Sequence, residues 1–246
     1  MAIRHYPSMT ELSRTEPFEL EVARGLIAGH ISLNISGYQS AVSTTFIPIW
    51  EHNTPYVYPV ANGSMLLSST SASDTNVLIR ISGLDVNYLI ITEDLLLTNG
   101  ITGVATVKSY FRVTSLTVID GVNPVGAISL TNASKSNTYA EIAIGVGISS
   151  MTIYTVPAGY TFYLANVNGY ATQGNNQLTN YRSFTINSAG IQRAILQVPF
   201  RGEYKSLKTV PRPYAEKTDI QWQCSSSQTS EVGLQIEGIL IKNDES

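Results

Sequence analysis

From about Ala41 almost to the end of the chain, Val, Ile, Leu, Thr and Tyr gather in short runs broken by Gly, Asn, Pro and Ser. β-branched and aromatic runs set between turn formers read as strands, and no long segment holds a helical period. Residues 65–69, 76–81, 88–92, 93–97, 107–113, 116–119 and 127–130 are expected strands of a first block. Asp85-Val-Asn87, Asn99-Gly100, Asp120-Gly121 and Asn123-Pro124 supply its turns, with Asn-Gly and Asp-Gly steps suited to positive φ. A second block holds expected strands at 150–156, 160–165, 182–187, 191–198, 219–225 and 232–241. The last alternates with period two, Val232, Leu234 and Ile236 facing one way and Gln235 and Glu237 the other. A closing strand of that length belongs at the centre of its sheet.

Turns about ten to twelve residues apart indicate sandwiches or jelly-rolls and not βαβ units. The expected fold class is all-β, two antiparallel β-sandwich or jelly-roll domains behind an extended N-terminal arm. Residues 1–60 form the arm and connecting strands, 61–135 the first domain and 136–246 the second, with the polar stretch 132–137 as the join.

The arm differs in composition. Glu11, Arg14, Glu16, Glu19, Glu21 and Arg24 concentrate charge there, Pro17 interrupts a weak helical period, and Gly25, Gly29 and Gly37 bend the path. Its apolar residues Phe18, Leu20, Val22, Leu26 and Ile27 must lie on something, either their own domain or a neighbouring copy. With His30 and the aromatic anchor Trp50 they are the expected assembly contacts, and a trimer is the expected self-association.

Charged residues make up 13% of the chain and hydrophobic ones 43%. A surface so poor in charge suits packing against other protein. The net charge of -3 gives no field to gather nucleic acid or an anionic membrane. No signal-peptide pattern and no apolar run of spanning length is seen, so a soluble product outside the ordinary secretory route is expected. The Asn-x-Ser triplets at Asn34, Asn62 and Asn132 then carry no glycan. Cys224, the single cysteine, reads as a small buried hydrophobe within a strand.

Candidate chemistry is sparse. His5, His30 and His52 have no second ligand at zinc-site spacing. No nucleophile elbow, phosphate loop or dinucleotide fingerprint occurs. Glu93 and Asp94 are adjacent in a strand and should face apart, which defeats a cooperating carboxylate pair. Asp85 and Asn87 read as a hydrogen-bonded turn and not as a calcium loop. Arg193, Arg201, Lys205, Lys208 and Arg212 are the densest basic set, but Glu203 and Glu216 intrude and no aromatics interleave. Tyr154, Tyr160, Tyr163 and Tyr170 could stack on sugars or pack within sheets. The stretch from Gly169 to Leu178 is the expected exposed loop. The chain is thus expected to be non-enzymatic, with no cofactor and no metal.

Gly83-Leu-Asp-Val-Asn-Tyr-Leu-Ile-Ile-Thr-Glu93, followed by Leu95 to Gly100 and Ser109-Tyr-Phe-Arg-Val113, resembles a motif of a widespread family of tailed-bacteriophage virion proteins. Ala23-Arg-Gly-Leu-Ile-Ala-Gly-His30 and Tyr154-Thr-Val-Pro-Ala-Gly-Tyr160 resemble two further stretches of the same family. The resemblance implies a virion structural protein made in the host cytoplasm, and with the low-charge surface it leads to the expectation of a capsid decoration or cement protein on the major capsid protein. The alternative is a tail or fibre module that recognises a host by binding surface glycan.

Overall fold

The computed structural model describes residues 16–172 and 177–243. Among them one short helix, α1 (Phe18–Ala23), precedes sixteen strands. The first eight are β1 (His30–Val42), β2 (Ile47–Pro48), β3 (Leu66–Ser69), β4 (Val77–Leu84), β5 (Ile90–Leu97), β6 (Val104–Ala105), β7 (Arg112–Asp120) and β8 (Ile128–Thr131). The rest are β9 (Thr138–Ile142), β10 (Ile153–Thr155), β11 (Tyr160–Ala171), β12 (Thr179–Ile186), β13 (Gln192–Phe200), β14 (Glu203–Tyr214), β15 (Asp219–Ser226) and β16 (Ser230–Lys242).

These strands form four separate antiparallel sheets. The first runs β1-β16-β11-β14, and the second runs β10-β15-β12-β13 with β2 beside β15. The third runs β6-β3-β8-β9 and the fourth β5-β4-β7. As expected, β16 is central: it pairs with β1 on one side and β11 on the other, with Val232, Leu234, Ile236 and Leu240 buried. One apolar core takes Ile35, Leu164 and Leu234 from the first sheet and Tyr181, Ile220 and Trp222 from the second. A second core takes Leu67 and Leu130 from the third sheet and Ile79, Leu97 and Leu116 from the fourth. Each fully buried aliphatic or aromatic side chain in these cores contributes roughly 1.5 to 3 kcal/mol.

The cores meet where the chain passes from one to the other: Ile49 lies in the first and Trp50 in the second, Trp50 bridges Met151 within the second, and Thr152 donates to the Ile49 carbonyl at 3.1 Å. Arg112 of the fourth sheet reaches Asp219 of the second, both side chains nearly inaccessible.

All-β architecture is observed, but the expected pair of jelly-roll or sandwich domains behind an extended arm is corrected. Four sheets of four, five, four and three strands correspond in number and size to the blades of a four-bladed β-propeller. The described part of the arm is no arm either: α1 packs beside β1, and β1 is a thirteen-residue strand hydrogen-bonded along β16. Its outward positions Ser32, Asn34, Ser36 and Tyr38 are polar or amphipathic, and that is why it did not read as a strand. Pairing also runs across the expected divisions. Residues 132–137 are the turn of a hairpin joining β8 to β9 within one sheet, and Tyr139, Ala140 and Ile142 enter the second core with Leu67. The expected strands 88–92 and 93–97 are one strand, β5, which begins only at Ile90, and 107–111 lie between β6 and β7 and form no strand of their own.

The basic stretch 203–214 is a further unexpected strand. As β14 it sits at the edge of the first sheet, with Pro213 opposite Tyr163 and Pro211 in the irregular stretch that has no register partner on β11; an edge strand tolerates proline because one side of its backbone needs no ladder partner.

Candidate functional site

The outer face of the first sheet carries a broad concavity. Antiparallel register places residues of four strands in rows across it. Tyr38, Gly233, Tyr170 and Glu203 make one row, and Ser36, Gln235, Asn168 and Lys205 the next. Because side chains alternate along each strand, these two rows share a face opposite the buried Val232, Leu234 and Val167. Together they line a groove of about 450 Å³.

Gly233 is what opens the groove. It sits between two tyrosines and has no side chain of its own, so the Tyr170 ring lies over it: a Cβ there would stand 2.3 Å from the ring. Tyr170 remains 46% exposed. Tyr38, on the opposite flank, is half-buried, with the Glu231 carboxylate as its main charged neighbour. Burial first, and then that carboxylate, raise the Tyr38 hydroxyl above its ordinary value, which keeps it a neutral donor and acceptor.

The floor is braced from beneath. Tyr181 of β12 is fully buried in the first core, and its hydroxyl donates to the carbonyls of Gly233 at 2.9 Å and Tyr170 at 3.2 Å. Gly169 leaves it room, since a Cβ at that position would come within 2.5 Å of the same hydroxyl. Tyr181 is itself fixed between Phe200 at 4.3 Å and Tyr204 at 5.5 Å. Rings in two sheets thus hold the backbone that presents Tyr170 and Gly233.

Along the polar side, Glu237 accepts from Asn166 at 3.1 Å and from Gln235 at 3.0 Å. Lys205 and Glu203 approach to 3.1 Å, both largely in solvent. Such an exposed pair contributes little to stability and yields readily to a ligand's hydroxyls. Two aromatic faces, amides, one cation and one carboxylate in a shallow trough can stack an apolar ring face and hydrogen-bond a rim of hydroxyls. Glu203 is the one carboxylate lining it among the described residues, whereas glycoside cleavage ordinarily needs two across the bond.

The residues singled out from sequence are dispersed. Tyr170 lies in the groove; Tyr154 is buried, and Tyr160 and Tyr163 are half-buried outside its lining. Of the expected assembly contacts, Val22 and Trp50 are buried within the chain, His30 and Ile27 are half-buried, and Phe18, Leu20 and Leu26 are exposed. Phe18 meets the His30 ring edge-on at 6.0 Å. His52 binds the Glu141 carboxylate at 2.9 Å. Burial works to raise Glu141, but His52 and the Ser129 hydroxyl outweigh it and leave the carboxyl below its usual range. His5 and residues 173–176 of the expected loop lie outside the described residues.

Asp85 accepts from the N–H groups of Asn87 and Leu89, as a turn requires. Glu93 accepts from the N–H groups of Val107 and Lys108, and Asp94 pairs with Arg80, so the two carboxylates do face apart. The basic set is split between faces: Lys205 lines the groove, while Lys208 and Arg212 line a crevice on the other side of β14. No group of three or more metal-ligating side chains occurs among the described residues, and no helix there is long and apolar enough to cross a membrane. Sequence reading missed Tyr38, Gly233 and Gln235 as site residues. The outward alternation of β16 carried part of the signal, but their neighbours on β1 and β11 are distant in sequence.

No protein-family model matches the chain, and no curated protein does. The expected membership of the tailed-bacteriophage virion family is therefore not upheld. Among solved structures the chain is similar to VP2 of infectious bursal disease virus. A mutant VP2 in T=1 particles gives 9% identity over 87% of this chain and 74% of that one, with a TM-score of 0.19. The virus of strain Gt gives 12% identity over 87% and 71%, with a TM-score of 0.21. Likeness of this degree assigns neither fold nor function.

Proposed function

We propose that the protein is a non-catalytic recognition module that binds surface glycan in the groove on the first sheet. The observation that carries this reading is the row Tyr38–Gly233–Tyr170, a braced glycine between two partly open aromatic rings, set beside a row of Ser, Gln, Asn and Lys. A pyranose has one face of C–H groups and a rim of hydroxyls, and this pairing of surfaces matches it. The sparse charge elsewhere agrees with a binding surface that works by stacking and neutral hydrogen bonds. The capsid-cementing reading draws no comparable support, since the low surface charge on which it rested suits either role.

Glycan-array screening of the purified chain, followed by calorimetric titration of the best glycan, tests the proposal. Tyr170→Ala is expected to weaken binding about 5- to 150-fold, because stacking on one ring is a contact of about 1 to 3 kcal/mol. Tyr170→Phe keeps the ring and should bind nearly as the natural chain. Absence of glycan binding, or unchanged affinity in Tyr170→Ala, overturns it.

A further inference from the structure

Far from the groove, two loops at one end of the fourth sheet expose Ile119, Val122, Val125, Ile144, Val146 and Ile148, each between 37% and 66% accessible. They form one surface. Thr117 bridges Ile148 in antiparallel fashion and Val118 N–H donates to the Gly147 carbonyl at 2.8 Å, so Ile119 and Val146 continue the same register on the same side. Gly145 N–H then donates to the Pro124 carbonyl at 2.9 Å, tying the 119–125 loop to the 144–148 loop.

The surface is also rigid. Asp74, itself buried, accepts from Val125 N–H at 2.7 Å and Gly126 N–H at 3.0 Å, and from the Ser69 hydroxyl. Leu116 N–H donates to Ser149 Oγ, and Ser149 N–H returns a bond to the Leu116 carbonyl. Loops clamped this way lose little further entropy when something docks on them. Between 121 and 126, and between 143 and 148, no residue is charged.

We infer that this surface is the contact between two copies of the chain. Its β-branched side chains expose on the order of 500 Å² of apolar area, near the upper limit of what a monomer ordinarily shows. Apposed to itself about a two-fold axis, the patch buries about 1,000 Å² in total, the lower bound for a specific interface. Asp120, exposed between Ile119 and Val122 with one oxygen accepting from Gly121 N–H, is the single charge within the two loops; the apolar remainder is complementary to itself, as an isologous contact requires. This contact goes beyond glycan recognition and uses none of the groove residues.

Sedimentation equilibrium of the full chain over a concentration series tests it. The natural chain is expected to be dimeric at about 100 µM. Ile144→Lys/Ile148→Lys places four cations against one another across the axis and should raise the dissociation constant at least 100-fold. Leu207→Lys, exposed on β14 at a distance from the patch, should leave it unchanged. If the double variant fails to fold by circular dichroism, Ile144→Ser alone should weaken the dimer about tenfold. A natural chain that stays monomeric overturns the inference, and cosedimentation of that monomer with phosphatidylcholine vesicles would assign the patch to lipid instead. An oligomer unchanged by the patch variants also overturns it. Glycan affinity per groove should be the same in the monomeric variant, so this outcome is separate from that of the recognition proposal.

Discussion

Replacing Arg112 by Met should be among the most damaging single changes in the molecule. Its Nε and Nη2 donate to the two oxygens of Asp219 at 2.9 and 3.0 Å, and Nη1 donates to the carbonyls of Phe111 and Pro59. The guanidinium also lies over the rings of Phe111 at 4.2 Å, Tyr58 at 5.0 Å and Tyr88 at 5.8 Å. Burial opposes its charge, yet the Asp219 carboxylate more than compensates and holds Arg112 above its ordinary value. Without it, Asp219 is left nearly inaccessible with Thr155 as its remaining side-chain donor. Leaving one charge of a buried pair unpaired costs about 3 to 5 kcal/mol. Removing both charges with Arg112→Met/Asp219→Leu should cost clearly less than the sum of the two single changes, because no orphaned charge remains. Urea unfolding followed by tryptophan fluorescence reads this directly, since Trp222 lies in the first core and Trp50 in the second. The pair joins the fourth sheet to the second, so the two tryptophans should report separated transitions in Arg112→Met and a common one in the natural chain. A single-variant cost under about 1 kcal/mol, or strictly additive costs in the double variant, would refute the reasoning.

Asp74 is held below its ordinary value because Ser69, Val125 N–H and Gly126 N–H outweigh the burial that would raise it. Its stabilising contribution is therefore complete above the unfolded carboxyl value and lost as pH falls through the lower folded value; Asp74→Asn should cost about 2 kcal/mol at pH 7 and flatten the loss of melting temperature on acidification. Tyr181→Phe removes the hydroxyl that braces Gly233 and Tyr170, and should lower stability by about 1 kcal/mol in thermal melts while weakening glycan binding, although no ligand touches residue 181. Burial pushes the Cys224 thiol up to about 12, so it should resist a thiol-reactive chromophore at pH 8 and react fully once urea is added; rapid labelling of the folded chain would contradict its burial.

The all-β class followed from local pattern alone, because β-branched runs between turn formers leave a helix no consistent apolar face. The length of the closing strand likewise placed β16 at a sheet centre, its alternation at Val232, Leu234 and Ile236 set the face it buries, and the Asp85 turn and the buried Cys224 needed no more than their neighbours in sequence. Other features depended on partners far along the chain. β1 became a strand because β16, some 200 residues later, supplied the hydrogen bonds its polar outward face did not advertise, and β14 because an edge accommodates its prolines. The turn at 132–137 looked like a domain join, since a polar hairpin and a polar linker have the same composition. The groove exists only in the register of β1, β16, β11 and β14, which sets Tyr38 and Tyr170 on either side of Gly233. Arg112 and Asp219 gain their significance only from sheet packing across 107 residues. Local propensity decides which segments extend; the burial of shared apolar faces decides which extended segments lie side by side, and the site is made by the second choice.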